Sequence, residues 1–269
     1  MNRKKVIHII QIILIVYALI GTALYFLQEQ FLFHPVSIAA DSTVHFQQPY
    51  QEQFIQLDEE SKFHVVQFTV PDTLNKGVVL YFHGNKTNIS RYAPFAQHFT
   101  RNHYAVWMVD YPGFGKSTGK LSEAILYEQA LQLYKLARIK YQPNQIIIYG
   151  KSIGTGIAAQ LASVRDCKKL ILETPYEGLA KLIQHYLWMY PERMIQYQLP
   201  TYEYLKKVTA PVIIFHGTND GVIPYNSALQ LKKQLKPGDE FITIENGEHN
   251  NLASYAIFQQ KMDRVLIDN

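Results

Sequence analysis

The chain has 269 residues, 48% hydrophobic and 13% aromatic, with a formal net charge of +4. That composition excludes a disordered chain, and the length fits one large domain or two small ones. The positive charge is concentrated at the start: setting aside residues 1–27 removes Arg3, Lys4 and Lys5 and no acid, so the net charge falls to +1. No basic stripe remains to indicate a nucleic-acid partner. Cys167 is the sole cysteine, which rules out an intramolecular disulfide and reads as a small filler before a strand.

In chain order, the first feature is "VIHIIQIILIVYALIGTALYFL". At about 22 residues without a charge, it is long enough to cross a bilayer. Basic residues precede it and none follows until Lys62, which predicts a cytoplasmic N-terminus. Residues 1–28 are therefore expected to be a single-pass signal-anchor. Residues 29–269 would form one domain on the non-cytoplasmic, periplasmic or extracytoplasmic, side. A cleavable signal peptide is the alternative, because Gly21-Thr22-Ala23 offers small residues at a cleavage site. Cleavage there would expose Leu24-Tyr25-Phe26-Leu27 as a new terminus, which favours retention.

Two alternating runs, "EQFIQL" and "FHVVQFTV", predict an opening antiparallel hairpin. The pattern then changes. "GVVLYFHG", "YAVWMVDYPG", "QIIIYGKS", "KKLILETP", "PVIIFHGT" and "EFITIENG" are short β-branched or aromatic runs closed by turn residues. Segments with helical spacing, such as "SEAILYEQALQLYKLARIKY", lie between them. Apolar strands alternating with amphipathic helices imply a mostly parallel sheet covered on both faces. Ligands in such sheets bind beyond the carboxyl ends of the strands. Residues from about 176 to 206 interrupt the alternation with two prolines and many Tyr, Leu, Trp and Met. They are expected to form a mostly helical lid over the strand ends.

Gly150-Lys151-Ser152 fits two chemistries, and spacing separates them. A phosphate-binding loop needs a glycine five residues before Gly150, where Gln145 stands; Gly115-Lys116-Ser117 fails likewise, with Asp110 at that position. A nucleophile elbow instead needs a strand, Gly-x-Ser-x-Gly and a helix of small residues. "QIIIYGKSIGTGIAAQLA" supplies all three, with Gly150 and Gly154 permitting the tight turn around Ser152. A serine nucleophile needs a base and a carboxylate, expected in the order Ser, acid, His on later strand-end loops. Asp220 in "FHGTNDGVIP" and His249 in "ENGEHNN" occupy those loops. Glu173 is a second candidate for the acid.

Of the other histidines, His83 and His216 end strands and are read as structural, and the rest precede the sheet or fall on helices. "YFHGNKTN" closes the strand where an oxyanion-hole loop belongs, so the N–H of Asn85 would join that of Ile153. Lys151 is expected to face solvent. No metal is implied, since no His or Cys pair has ligand spacing.

"YFHGN", "DYPGFGKSTG", "GKSIGTG", "LETPY", "APVIIFHGTNDGVIP" and "GEHNN" together resemble the α/β-hydrolase superfamily. The chain is most similar to membrane-anchored serine hydrolases near the serine-aminopeptidase and monoacylglycerol-lipase-like branch. The resemblance implies an α/β-hydrolase fold with a short lid and a triad of Ser152, Asp220 and His249. It also implies oxyanion donors at Asn85 and Ile153, no cofactor, and fold-determining roles for Asp110 and Gly115. The expected reaction is cleavage of carboxylic esters, thioesters or acylglycerols, with a peptidase, amidase or acyltransferase as the alternative. A small-molecule or lipid-like acyl substrate is the expected partner. An idle hydrolase fold acting as a binding protein is the reading from outside enzymes.

Overall fold

A computed structural model describes residues 2–267. It begins with a thirty-residue helix, α1 (Arg3–Leu32), which is apolar on nearly every face. By length and composition it is a candidate membrane span, with a mean hydropathy of 2.3 over its most apolar window. The helix does not stop at residue 28. It runs on to Leu32 because Gln28, Glu29 and Gln30 are all compatible with helix and no Gly or Pro intervenes before Pro35.

Among the described residues ten strands follow: β1 (His34–Pro35), β2 (Tyr50–Gln56), β3 (Lys62–Phe68), β4 (Gly77–Phe82), β5 (Lys86–Thr87), β6 (Tyr104–Val109), β7 (Ile146–Lys151), β8 (Lys169–Glu173), β9 (Val212–Gly217) and β10 (Glu240–Ile244). Eight of them form one sheet in the order β10-β9-β8-β7-β4-β6-β3-β2. The expected opening hairpin is present as the antiparallel pair β2–β3, with Tyr50 opposite Phe68. From β6 to β10 every pairing is parallel.

Helices cover both faces: α2 (Ile89–Tyr92), α3 (Gln97–Thr100), α4 (Glu123–Ala137), α5 (Gly154–Val164), α6 (Leu179–Tyr186), α7 (Thr201–Leu205), α8 (Tyr225–Leu229) and α9 (Ala256–Ile267). Side chains alternate across the strands, as period two requires. Val78, Leu80 and Phe82 of β4 enter one apolar core with Ile146 and Ile148 of β7. Val79 and Tyr81 enter the other with Ile147 and Tyr149. Burial on both faces explains why the strands read as unbroken apolar runs.

The segment from 176 to 206 is more irregular than a helical lid. It consists of α6, a single turn at Glu192–Met194, extended chain and α7. Pro191 and Pro200 account for this, since each disfavours helix in the residue before it. The remaining strands, β1 and β5, pair in parallel outside the main sheet, His34 beside Lys86 and Pro35 beside Thr87. This bridge fastens the end of α1 to the loop after β4.

Candidate active site

The β7–α5 junction places Ser152 with φ of 53°, a left-handed conformation that only a tightly packed turn sustains in serine. Both flanking glycines are needed there. A Cβ on Gly150 would lie 2.5 Å from the Gly154 carbonyl oxygen, and one on Gly154 would lie 2.2 Å from that of Phe82. The Ser152 N–H donates to the Glu173 carbonyl at 2.9 Å, holding the elbow against β8.

Ser152 is met by two residues from loops far along the chain. His249 Nε2 lies 2.9 Å from Ser152 Oγ, and His249 Nδ1 lies 2.8 Å from Asp220 Oδ2. Asp220 Oδ1 accepts the N–H groups of Val222 and Ile223 at 2.9 and 2.8 Å. Burial works to raise the Asp220 carboxyl, but the His249 hydrogen bond and charge, with those two amides, outweigh it and hold it below its ordinary value. All three side chains are buried, and Ser152 and His249 reach a cavity of about 220 Å³ at the carboxyl ends of the strands.

Asn85 lines the same cavity as Ser152, and Ile153 follows the serine in the chain. Among the described residues, neither backbone N–H donates to a protein acceptor. The Asn85 carbonyl accepts from His34 N–H at 2.9 Å, and its side-chain amide donates to the Leu32 carbonyl at 2.7 Å. Gly84 permits close approach here, since a Cβ on it would meet Tyr92 Oη at 2.7 Å and Ser152 Cβ at 3.6 Å. Tyr111 Oη donates to the His83 carbonyl at 2.7 Å and steadies the loop from beneath.

Lys151 does not face solvent. It is 2% exposed and ion-paired with Glu173, itself 1% exposed, and Tyr149 Oη also donates to Glu173. Sheet register explains the difference: Lys151 stands opposite Glu173 in the β7–β8 pairing, on a face that helices cover. Engaged by Lys151 and Tyr149, Glu173 is not the partner of His249. The Lys151 ammonium also sits 5.3 Å from the centre of the Phe95 ring.

The sequence reading of His83 and His216 as structural left out where they sit. His216 Nε2 lies 3.0 Å from the Ile223 carbonyl and 3.5 Å from Asp220 Oδ2, behind the carboxylate that faces His249. Burial lowers its pKa and favours the neutral ring. His83 Nε2 lies 3.5 Å from Asp110 Oδ1, and His64 Nδ1 lies 3.2 Å from Asp110 Oδ2. Asp110 also accepts the Ile89 N–H at 2.8 Å. Gly115 is required beside it, because a Cβ there would come within 2.0 Å of Asp110 Oδ2.

The arrangement can polarise a hydroxyl, hold an imidazole by its far nitrogen and offer two amide donors nearby. Lys86 and Arg91 rim the cavity, both exposed and without a carboxylate partner among the described residues.

Comparison with known proteins agrees with this architecture. The family model described as serine aminopeptidase, S33, matches residues 73–204, a span that includes Ser152 and ends before Asp220 and His249. Alpha/beta hydrolase domain-containing protein 17C of Xenopus tropicalis is 31% identical over 194 residues, covering 70% of this chain and 61% of the relative. Its Homo sapiens counterpart is 29% identical, covering 70% and 57%. The chain thus spans about three fifths of the length of these relatives.

Among solved structures, the Pyrococcus furiosus esterase Pf2001 aligns with a TM-score of 0.66 at 16% identity, covering 87% of this chain and 97% of the esterase. Est1E from Butyrivibrio proteoclasticus with bound ferulic acid gives 0.62 at 19%, covering 80% and 96%. At such identities the likeness shows the fold.

Proposed function

We propose that this chain is a membrane-anchored serine hydrolase cleaving carboxylic esters, a reading supported by its similarity to α/β-hydrolases of the serine-aminopeptidase and lipase-like branch. The observation that carries the reading is the unbroken line from Asp220 through His249 to Ser152 Oγ, with links of 2.8 and 2.9 Å.

In this mechanism His249 Nε2 takes the Ser152 proton as the oxygen attacks the substrate carbonyl. Asp220 keeps the Nδ1 proton facing itself, which leaves Nε2 free to accept, and stabilises the imidazolium that forms. The N–H groups of Ile153 and Asn85 receive the oxyanion. Collapse expels the alcohol, which takes the proton from His249, and leaves an acyl-enzyme. Water, deprotonated by the same imidazole, then releases the acid and restores Ser152. The helix α1 is the proposed anchor, with the hydrolase domain on the non-cytoplasmic side. Support for that orientation comes from Arg3, Lys4 and Lys5 ahead of the apolar run.

The full-length protein should be labelled by a fluorophosphonate probe and should hydrolyse acyl esters faster than aminoacyl amides, with Ser152→Ala silent in both assays. Labelling that persists in Ser152→Ala would overturn the nucleophile. Faster amide cleavage would replace the esterase reading with a peptidase.

A further inference from the structure

We infer that the seam between α1 and the insertion is a slot for the acyl chain of a bilayer-resident substrate, so that the anchor helix forms part of the substrate site. This rests on the esterase reading above. Thirty residues of helix extend about 45 Å, against a hydrocarbon thickness of roughly 30 Å. With Arg3, Lys4 and Lys5 held among headgroups at one end, the excess emerges at the other, as the last two or three turns before Leu32.

The insertion packs against one face of those turns, which is apolar but for Gln28 and the Tyr25 hydroxyl. Leu24, Phe31 and Leu32 of α1 face Ile183, Leu187 and Met194 across a cavity of about 260 Å³. No charged side chain lines it. Its one side-chain amide, Gln28, is occupied by the carbonyls of Tyr25 and Met194 and by the Gln196 N–H.

The two walls are fastened at specific points. Tyr17 Oη donates to the Met189 carbonyl at 2.7 Å, the Tyr17 and Tyr190 rings stack at 4.7 Å, and Tyr197 Oη donates to Glu29 Oε1 at 2.9 Å. Gly21 admits the Tyr190 ring, since a Cβ there would come within 2.8 Å of it. The seam is therefore a built contact between helix and insertion.

Each end of the slot leads somewhere. Next to the Tyr17 level the insertion exposes Trp188, at 76%, together with Tyr186 and Met189. Tyr17 is about 22 Å below Leu32 along the helix, deeper than the emergent turns, so these side chains meet acyl chains and the lower mouth opens to lipid. At the upper end, Leu32 lines the slot while its carbonyl accepts from the Asn85 side chain, and Asn85 lines the cavity holding Ser152. In this arrangement the acyl chain lies in the slot and its ester group passes Asn85 into the more polar cavity that holds Ser152. A peptide is a poor occupant, because its backbone polar groups would find no partners along these walls.

The test uses full-length protein in neutral detergent micelles and compares kcat/KM for p-nitrophenyl hexadecanoate and butanoate. Leu24→Trp and Leu187→Trp each fill the slot from opposite walls. Each methylene denied its place should cost roughly threefold to fourfold, so the long-to-short ratio should fall by at least tenfold and the preferred chain length should shorten. Fluorophosphonate labelling of each variant reports an intact serine. An unchanged ratio in labelled variants would overturn the slot while leaving the esterase intact. No labelling and no turnover of either ester by the wild type would remove the esterase reading itself.

Discussion

Two aspartates in this fold each face two histidines, and only one of the two groups leads on to a serine hydroxyl. Asp220 faces His249 and His216 at 2.8 and 3.5 Å, and Asp110 faces His64 and His83 at 3.2 and 3.5 Å. Both carboxyls are buried, and in both burial raises the pKa but hydrogen bonds from histidine bring it below the ordinary value. The difference lies in what stands beyond the ring. Beyond His249 is Ser152, at a cavity. Beyond His64 and His83 are Glu52, at 3.4 Å from His64 Nε2, and the rings of Tyr92, Tyr111 and Phe114 around His83. An Asp–His contact is therefore a candidate reaction centre only where the second nitrogen reaches a group that can attack.

The contrast is broken most sharply by paired substitutions. Asp220→Asn should lower kcat for an acyl ester by about 10⁴-fold, the order expected when the carboxylate no longer sets the imidazole tautomer. Asp110→Asn, in protein that remains folded, should leave kcat within about tenfold, because Asp110 touches no reacting atom. Steady-state kinetics on the two variants checks this, and equal losses would erase the distinction.

Lys151 and Glu173 give a third buried charge group beside the serine. Lys151→Ala leaves the Glu173 carboxylate without its cation and should destabilise the fold by about 3–5 kcal/mol, read from denaturant midpoints. A double variant, Lys151→Met with Glu173→Gln, should recover most of that loss. Recovery would mean that the fold needs these two residues matched, not charged.

The smallest effect concerns pH. Because the folded Asp110 carboxyl is below its ordinary 3.8, its contribution is fully present above that value and is lost as pH falls through the lower folded pKa. Wild type and Asp110→Asn should differ by about 1–3 kcal/mol near neutrality. The two unfolding curves should converge in acid, as urea titrations at stepped pH would show. A constant difference across the acid range would mean that charge on Asp110 is not what stabilises the contact.

Much of the site was legible because its determinants are local. Gly150, Ser152 and Gly154 sit within five residues, and the steric demands of the elbow can be read from them alone. Asp220 and His249 were legible through strand ends and chain order. Lys151 was not, because its surroundings depend on the β7–β8 register, which sets it opposite a residue twenty-two positions away. The β1–β5 bridge was equally hidden: two-residue strands paired fifty-two positions apart have no periodicity to detect. In the insertion, aromatic density suggested helix, and Pro191 and Pro200 prevailed.

With α1 as the proposed anchor, that bridge bears on how the domain could be detached from a membrane. His34 and Val36 donate their N–H groups to Asn85 and Thr87, at 2.9 and 2.8 Å. A protease cutting near Gln28 would release the domain with this brace in place. One cutting after Val36 would release it with the loop bearing Asn85 deprived of its neighbouring strand. Shedding and silencing are then separable outcomes, set by a difference of eight residues in the position of the cut.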